Sequence, residues 1–265
     1  MTKVLLYSGG MDSWLIDKLW NPDVCLYVNM QTQYGNVELE KQTAGKYQGI
    51  RHQIITFPLQ RWEREDKIIP YRNLLLCIAA ANEYQRDDVQ ICLGATAGDR
   101  VLDKSKKFAK MTTKLLSFLW QEQWWTEGRK VEVVVPYKDW TKEDLLREYQ
   151  KQGGDLEEVW KNSFSCYNPD EFGLECWECK PCVRKCLAFW AVGYRRMDDK
   201  VLWKVWNVFK KDIRPQILRG KYGRGKKEER ELMRAWKEIG DKLHAEDKCR
   251  DCRCDCMTEH CECLK

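Results

Sequence analysis

Residues 3–13 of the chain read KVLLYSGGMDS, a short apolar run followed by two adjacent glycines and the start of a helical pattern. A turn between a strand and a helix exposes backbone N–H groups at the helix N-terminus, where the helix dipole also favours an anion. Gly9 and Gly10 lack the Cβ atoms that would block a phosphate group, and Ser8 and Ser13 add hydroxyl donors. This stretch therefore predicts an α/β fold with a phosphate-binding turn after its first strand. The alternative is an ordinary tight turn before a capped helix.

The composition is that of a chain with a substantial core, since 43% of the 265 residues are hydrophobic and 12% are aromatic. Such a composition excludes a generically disordered protein. The longest apolar run, Leu74–Ala81, is too short to span a membrane, and the N-terminal stretch has no signal-peptide pattern. We therefore expect a cytoplasmic protein without membrane contact. In that reducing compartment, the fourteen cysteines indicate metal ligands or buried thiols rather than disulfides.

Strand-like and helix-like patterns alternate along the first part of the chain. Short apolar, largely β-branched stretches, typical of strands buried on both faces of a parallel sheet, lie at 3–7, 24–30, 52–59, 89–96 and 130–136. Helical patterns lie at 12–20, 36–48, 71–85, 105–124 and 139–154. In the last of these, Thr141 is the expected N-cap. The alternation predicts an α/β fold with a doubly wound, mainly parallel five-stranded sheet.

The sequence suggests three regions: an α/β domain at 1–160, a metal-binding loop with a closing helix at 161–197, and a basic helical, cysteine-rich extension at 198–265. Between Arg195 and Lys248 there are 17 Lys and Arg residues against 10 Asp and Glu residues. This basic stretch could contact nucleic acid through phosphates and stacking aromatics. The preferred interpretation is a solvated pair of helices whose aromatic side chains pack inward; the aromatics concerned are Trp203, Trp206, Tyr222 and Trp236.

Four cysteines are spaced C-x9-C-x2-C-x2-C in the stretch SCYNPDEFGLECWECKPC, residues 165–182. They are Cys166, Cys176, Cys179 and Cys182. Four thiolates with two short C-x2-C steps fit a closed, structural zinc site, because a catalytic zinc usually keeps one position open. A 4Fe–4S cluster and unligated thiols remain alternatives. Cys186 is interpreted as a packed thiol. The tail cysteines between Cys249 and Cys263, with His260, predict either a flexible thiol-rich tail or a second metal site.

The phosphate-turn motif S-G-G-M-D-S resembles the PP-loop pattern S-G-G-x-D-S of ATP pyrophosphatases. With the cysteine pattern, it makes residues 8–194 similar to the 7-cyano-7-deazaguanine synthase (QueC) family. Further motifs occur in the family's order: Tyr34-Gly35, PYRN at Pro70–Asn73, GATAGD at Gly94–Asp99, Pro136 with Thr141 and Lys142, SFSCY at Ser163–Tyr167, and CWECKPC at Cys176–Cys182.

The resemblance implies an adenine nucleotide alpha hydrolase-like fold. It also implies a ligase that uses ATP and Mg²⁺ to convert 7-carboxy-7-deazaguanine and ammonia to the nitrile through adenylated carboxylate and amide intermediates, with Zn²⁺ at the four cysteines. The implied nucleotide-binding residues are Tyr7, Ser8, Gly9, Gly10, Met11, Asp12, Ser13 and Gly94. The candidate catalytic residues are Asp12, Arg72, Asp99, Asp103 and Lys142, with Lys104 or Lys106 as weaker candidates. Members of this family are often homodimers, although the sequence itself shows no interface pattern.

The chain departs from the family where D-x-S-G-Y-P-D-C is usual, because residues 99–105 read DRVLDKS and lack the Tyr-Pro pair. Tyr34 or Trp62 are candidates to stack on the heterocycle instead, and Trp177 stands where the family's zinc loop has glycine. Three alternative functions therefore remain. They are an enzyme that stops at the amide, a PP-loop enzyme that modifies a macromolecule (by tRNA base thiolation or by transfer of a deazaguanine-like group), and a nucleotide-sensing or metal-binding protein without turnover.

Overall fold

A computed structural model describes residues 1–32 and 51–251, with side chains described as far as Ala245. The helix predicted at 36–48, the Tyr34-Gly35 motif and the side chains of the tail cysteines therefore lie outside the described residues. The described chain divides into two compact units, Met1–Cys176 and Trp177–Lys265.

The first unit contains a parallel five-stranded sheet with the strand order β3-β2-β1-β4-β5. The strands are β1 (Thr2–Leu6), β2 (Val24–Asn29), β3 (His52–Thr56), β4 (Val89–Leu93) and β5 (Val131–Val134). The chain runs outward from β1 to β3 and then returns to the other side of β1 to form β4. This reversal leaves a crevice beyond the carboxyl ends of β1 and β4, the usual ligand position in open α/β sheets. The predicted doubly wound α/β fold is confirmed.

Five helices of this unit are α1 (Met11–Trp20), α2 (Arg72–Glu83), α3 (Lys106–Leu119), α4 (Lys142–Lys151) and α5 (Leu156–Asn162). Thr141 caps α4 as predicted: its hydroxyl accepts from the Asp144 N–H, and the Asp144 side chain accepts from the Thr141 N–H. The helix predicted at 105–124 ends earlier, at Leu119, because Trp120 leaves the helix as its C-cap.

The core forms because the strands are apolar on both faces. Val4, Leu26, Ile91 and Val131 are fully buried, and every residue of β2 is buried. Burying a side chain of this size stabilises the fold by about 1.5–3 kcal/mol. Helices α2 and α3 pack against the same cluster through small or aliphatic side chains, which are Cys77, Ala80, Ala81, Ala109 and Leu116.

Helix α3 also satisfies the main chain of β5, which is an edge strand. The Thr113 hydroxyl accepts from the Val133 N–H at 2.8 Å and lies 3.3 Å from the Val133 carbonyl, to which it can donate. The Ser117 hydroxyl donates to the Val131 carbonyl at 2.8 Å. An uncovered edge strand offers these groups to other chains. Two hydroxyl side chains of α3 therefore cover this edge of the sheet.

The second unit is helical, with α6 (Lys180–Ala191), α7 (Asp199–Val208), a π-helical turn (Phe209–Ile213), α8 (Arg214–Leu218) and α9 (Lys226–Asp251). The Arg184 guanidinium of α6 donates to Glu228 of α9 at 2.7 Å, and both side chains are at least nine-tenths buried. Among the described helices, none is both long and apolar enough to cross a bilayer.

The aromatic side chains of the basic stretch pack within this unit. Trp236 stacks on Trp206 with ring centroids 5.8 Å apart and on Phe209 at 5.6 Å. Tyr222 is only 2% exposed. The preferred interpretation of this stretch, with aromatics that pack inward, is confirmed for these residues.

Candidate functional site

The glycine turn follows β1 and begins α1. Gly9 has φ +76°, a left-handed conformation that favours glycine, and Gly10 is the N-cap of α1 in an extended conformation. No side chain caps this helix end. The first-turn amides of Asp12 and Ser13 therefore remain donors for a ligand, as the first N–H groups of a helix have no partner within it.

The two serines hold the turn in shape. The Ser13 hydroxyl donates to the Gly10 carbonyl at 2.9 Å, and the Ser8 N–H donates to the Ser13 hydroxyl at 3.3 Å. Gly94 lies next to this turn, because a Cβ added to it would be 4.0 Å from the Ser13 Cβ. Tyr7, at the start of the turn, is 3% exposed and packs edge-on against His52 with centroids 5.3 Å apart. The predicted nucleotide-binding residues therefore lie along one turn and the neighbouring strand end.

A distant segment holds the same turn, a relationship that the sequence did not predict. The Phe164 N–H donates to the Gly9 carbonyl at 3.0 Å. The Met11 N–H donates to the Ser165 hydroxyl at 3.4 Å. Phe164 and Ser165 belong to the SFSCY motif. The sequence indicated this motif but not its contact with the glycine turn. The motif thus forms one wall of the glycine turn.

Asp12 and Lys142, both predicted as catalytic, are in contact in the structure. The Lys142 ammonium donates to Asp12 Oδ1, and the Lys142 side chain is only 10% exposed. Lys142 is the first residue of α4, so the capping box at Thr141 fixes where its side chain begins. The pair lies at the N-terminus of α1, where a cation can neutralise charge that develops on bound phosphate.

Asp99, the third predicted residue, stabilises its own loop. Its carboxylate accepts from the Thr96 N–H at 2.9 Å and lies 3.5 Å from the Lys104 ammonium. Lys138 was not predicted, yet its ammonium donates to the carbonyls of Thr96 at 2.8 Å and Asp99 at 2.9 Å. No short sequence motif marks a lysine that binds carbonyls, so only the three-dimensional arrangement could identify it. The loop after β4 is therefore held by Asp99 from within the loop and by Lys138 from outside it.

Arg72 and Asp103 lie near the starts of helical segments, and neither belongs to the Asp12–Lys142 pair. Arg72 is the first residue of α2, and its half-buried side chain makes no hydrogen bond or ion pair with a described residue. Asp103 lies in a short 3-10 turn, Leu102–Lys104. The contacts within the described ranges join neither side chain to Asp12 or Lys142. Their catalytic roles stay predictions.

The four predicted metal ligands come together. The Sγ atoms of Cys166, Cys176, Cys179 and Cys182 lie within 4.8 Å of one another. The N–H groups of Asn168 and Cys176 each donate to the Cys166 sulfur at 3.3 Å, which favours a charged thiolate. Cys179 is the N-cap of α6 and Cys182 lies in its first turn, where the helix dipole stabilises negative charge. The donor set therefore fits a divalent, thiophilic metal such as zinc.

Trp177, which replaces the family's glycine, has φ +58°. Left-handed backbone costs a non-glycine residue about 1–2 kcal/mol. The Lys185 ammonium lies over the Trp177 ring, 5.9 Å from its centroid. The geometry thus explains why glycine suits this position in a cysteine loop of this kind.

Among the residues whose side chains the structure describes, the thiols outside the cluster are buried, and a buried thiol is a poor nucleophile. Burial raises the pKa of the Cys77 thiol to about 12, with a smaller contribution from Asp103. Burial also raises the pKa of Cys92. The Cys186 thiol is fully buried and contacts the Met197 sulfur at 3.3 Å, as a packed thiol. The thiolation alternative needs a reactive cysteine pair near ATP, and Cys77 and Cys92 do not supply one.

A second group of donors was not predicted from the sequence. Asp17, Cys25 and His52 place one ligand atom each within 4.8 Å of one another. The Arg51 guanidinium contacts Asp17 Oδ1, and the Cys25 thiol donates to the same oxygen at 3.1 Å. Burial lowers the pKa of His52. Arg51 already pairs with the carboxylate, so we interpret this group as a partly buried structural network that joins α1, β2 and β3.

A parallel sheet with a glycine turn after its first strand, a buried lysine beside that turn and a cysteine cluster together define an α/β protein of the PP-loop type. Comparison with known families is consistent with this class. A family model described as "Queuosine biosynthesis protein QueC" matches residues 53–193, which is more than half of the chain, and the chain belongs to this family. The glycine turn at 8–13 precedes the matched range.

Individual relatives carry the name 7-cyano-7-deazaguanine synthase. The one from Rickettsia prowazekii is 38% identical over 63 residues, which are 24% of this chain and 26% of the relative. The one from Psychromonas ingrahamii is 24% identical over 223 residues, 72% of this chain and 94% of the relative. The chain thus spans about a quarter of the Rickettsia protein that it matches. No solved structure matches the chain.

Proposed function

We propose that this chain is an ATP-dependent carbon–nitrogen ligase that converts 7-carboxy-7-deazaguanine and ammonia to 7-cyano-7-deazaguanine, with release of AMP and pyrophosphate. The contact of Lys142 with Asp12 beside the glycine turn supports this proposal. In this proposal, the buried Lys142 ammonium would face the α-phosphate of a nucleotide bound at the turn. The family membership supplies the substrate class.

The reaction consumes two ATP molecules. A substrate carboxylate oxygen attacks the α-phosphorus of the first, the bond to the bridging oxygen breaks, and pyrophosphate leaves. Ammonia then attacks the acyl carbon, its nitrogen loses a proton, and AMP leaves to give the amide. The amide oxygen attacks the second ATP with release of pyrophosphate, and the nitrogen loses two protons in total as AMP leaves and the nitrile forms. Both activations place negative charge on the departing pyrophosphate, so the same cationic site serves twice.

The residues of the turn would bind the nucleotide. The amides at the start of α1 and the hydroxyl of Ser8 would donate to phosphate oxygens, while the Ser13 hydroxyl holds the turn through the Gly10 carbonyl. Lys142 would neutralise charge on the α-phosphate, and the Asp12 carboxylate both orients the ammonium and offers an oxygen to Mg²⁺. One or two carboxylates plus phosphate oxygens are the ligands that Mg²⁺ usually takes from such a site.

Zinc at the four cysteines would act as a structural ion. All four donors are thiols, so no position remains open for water or substrate. Its role would be to hold the segment that begins at Cys166, directly after Ser165, which contacts the turn. ATP, ammonia and reduced thiols are cytoplasmic reactants, so we propose that the chain acts in the cytoplasm.

The altered 99–105 loop supports one alternative product. It is shorter than the family's usual loop and lacks its Tyr-Pro pair, so the second adenylation could be absent and the amide would then be the end product. Mass spectrometry separates the two compounds, because the nitrile has one water molecule less than the amide.

The deciding experiment incubates the purified chain with ATP, Mg²⁺, ammonium and 7-carboxy-7-deazaguanine. We expect the nitrile together with AMP and pyrophosphate. Lys142→Ala should abolish most product, whereas the control Lys151→Ala, at the exposed end of the same helix, should not. AMP release that requires a different acceptor, such as tRNA, would overturn the substrate assignment. Tight ATP binding with no AMP under any acceptor condition would overturn the enzymatic assignment.

A further inference from the structure

A segment of the second unit concentrates positive charge without acidic residues beside it. Residues 219–227, which we call the basic loop, read RGKYGRGKK and lead from α8 into the start of α9. No Asp or Glu occurs between Asp212 and Glu228 in the sequence. The basic residues of the loop are Arg219, Lys221, Arg224, Lys226 and Lys227. The adenylation chemistry proposed above uses none of them.

The fold holds the basic loop outward from the helices. The Gly220 N–H donates to the Ile217 carbonyl at 2.9 Å, and the Lys221 N–H donates to the Gln216 carbonyl at 2.8 Å. These two bonds close the end of α8. Gly220 (φ +65°) and Gly225 (φ +91°) have left-handed backbone, and a Cβ added to either would meet nothing within 4 Å. The open space around both glycines shows that the loop projects into solvent.

Tyr222 anchors the middle of the basic loop. Its side chain is 2% exposed, although its neighbours Lys221 and Gly223 are exposed. The Arg224 guanidinium lies 5.8 Å from the Tyr222 ring centroid. Tyr222 is the single aromatic residue of the loop, and its burial leaves no ring in this segment to stack on a base.

The acidic residues that follow the loop lie inside the unit, whereas the basic residues lie outside. Glu228 and Glu229 are 4% and 6% exposed. Glu228 accepts from a buried arginine of α6, and Glu229 lies 3.3 Å from the ammonium of Lys226, whose side chain is 84% exposed. Arg219 and Lys221 are exposed and form no ion pair with a residue that the structure describes. The surface of the loop is therefore positive.

The surroundings of the loop favour a phosphate chain over a lipid surface or a protein. Leu218 is the one large apolar side chain that lies exposed among residues 177–245. A segment that inserts into a membrane surface needs several such side chains, and a protein interface has an apolar core. A cluster of lysines and arginines without apolar neighbours instead matches nucleic acid, which carries a negative charge on every nucleotide.

We propose that the basic loop binds single-stranded nucleic acid through the phosphate backbone alone. A flexible strand can follow the surface of a projecting loop, whereas a duplex is stiff over about 150 base pairs. Ammonium and guanidinium groups donate to phosphate oxygens. Contacts to phosphate carry no sequence information, and no ring of the loop is available for stacking. Binding is therefore independent of base sequence and similar for RNA and DNA. This proposal does not depend on the chemistry at the glycine turn.

The test is fluorescence anisotropy of the full chain with labelled strands of about 20 nucleotides, one of RNA and one of DNA with the same sequence. At about 50 mM salt we expect micromolar dissociation constants that agree within about threefold. Five phosphate contacts predict that log Kd rises with log salt concentration with a slope of about 3.5, because each contact to a single strand contributes about 0.7.

Variants of the loop locate the binding site. Arg219→Ala combined with Lys221→Ala should lower the salt slope to about 2 and weaken binding of both strands about 10- to 100-fold at low salt. The matched control combines Lys200→Ala with Lys237→Ala, which removes the same charge from exposed positions of the same unit outside the loop. The control should bind as the wild type does. Circular dichroism and the melting temperature should be the same for all three proteins.

Four results would overturn the proposal. The first is no binding of either strand at about 50 mM salt. The second is an equal loss in the control, which would make net charge rather than the loop responsible. The third is a preference above about tenfold for RNA, for DNA or for one base sequence, which would show contacts beyond phosphate. The fourth is binding to phosphatidylserine vesicles in place of the strands.

Discussion

Lys142 and Asp12 are 130 positions apart in sequence, yet the Lys142 ammonium donates to the Asp12 carboxylate. The two residues are at or near the first turns of different helices, and each of those helices follows a strand of the same sheet. The Lys142 side chain is only 10% exposed, and the Asp12 carboxylate holds its ammonium in place. The contact therefore positions the positively charged Lys142 ammonium at the mouth of the glycine turn.

Removal of that charge should affect the chemical step. Lys142→Ala is expected to lower the rate of ATP–pyrophosphate exchange about 100- to 1,000-fold, as loss of one oxyanion-stabilising donor does in other enzymes. The melting temperature should change little, because the Asp12 carboxylate is partly exposed and can be solvated. Exchange in Lys151→Ala should match the wild type. Normal exchange in Lys142→Ala would exclude this lysine from the adenylation site.

The two glycines of the turn should respond differently to alanine. Gly9→Ala should lower the free energy of unfolding by about 1–2 kcal/mol, since Gly9 has φ +76°. Gly10→Ala should fold normally, since its φ is −69° and the new Cβ would lie 3.4 Å from the Ser8 hydroxyl. That Cβ would occupy space needed by phosphate, so nucleotide affinity should fall. Urea unfolding and nucleotide titration, performed on both variants, check the contrast; unchanged affinity in Gly10→Ala would refute it.

The cysteine cluster should bind one zinc ion. Cys179→Ser is expected to lose one equivalent of metal relative to the wild type, measured by elemental analysis after dialysis. Cys186→Ala, on the same helix but in a packed position, should lose none. Removal of the metal with a chelator should make Cys166 and Cys176 of the intact protein susceptible to alkylation, which is detected in the peptides that contain them. Equal metal content in all three proteins would place the metal elsewhere.

Gly240 should be required for packing in the second unit. An added Cβ would lie 2.6 Å from Trp206 Nε1, and the Trp206 ring is held by stacking on Trp236. Alanine is favoured over glycine in a helix by about 1 kcal/mol, but overpacking costs about 1–3 kcal/mol. Gly240→Ala should therefore be destabilised in chemical unfolding, whereas Lys237→Ala on the exposed face should not. Greater stability of Gly240→Ala would show that the Trp206 ring moves freely.

Alkaline pH should destabilise the first unit through its buried thiols. The pKa of Cys77 rises from 9.0 to about 12 on burial. Between these values the unfolded chain has released a proton that the folded chain keeps, so stability falls as pH rises from about 9 to about 12. The slope that this thiol contributes is about 1.4 kcal/mol per pH unit. Cys77→Ala should show a shallower decline in urea unfolding across this range; an identical slope would contradict the predicted pKa.

Local sequence patterns were sufficient to predict the sheet and the glycine turn, because a β-branched run or a pair of glycines determines the backbone conformation of a few neighbouring residues. The clustering of the four cysteines was also predictable, because their short spacing in sequence already indicates that the four sulfur atoms can lie close together. The contacts of Lys138 with the Thr96 and Asp99 carbonyls were not predictable, because they depend on how the loops after β4 and β5 meet. The hydrogen bonds between the Thr113 and Ser117 hydroxyls of α3 and the main chain of β5 were not predictable for the same reason. No sequence pattern indicates which partner a hydroxyl side chain in a helix will contact.

A single peptide bond separates Ser165, whose hydroxyl accepts from the Met11 N–H, from Cys166 of the cysteine cluster. If both proposed ligands bind, the metal and the nucleotide share one short stretch of main chain, and if the metal strengthens binding of the nucleotide, linkage requires the nucleotide to strengthen binding of the metal by the same factor. Zinc supply in the cell would then regulate how much nucleotide the protein holds, and nucleotide would slow zinc loss during scarcity.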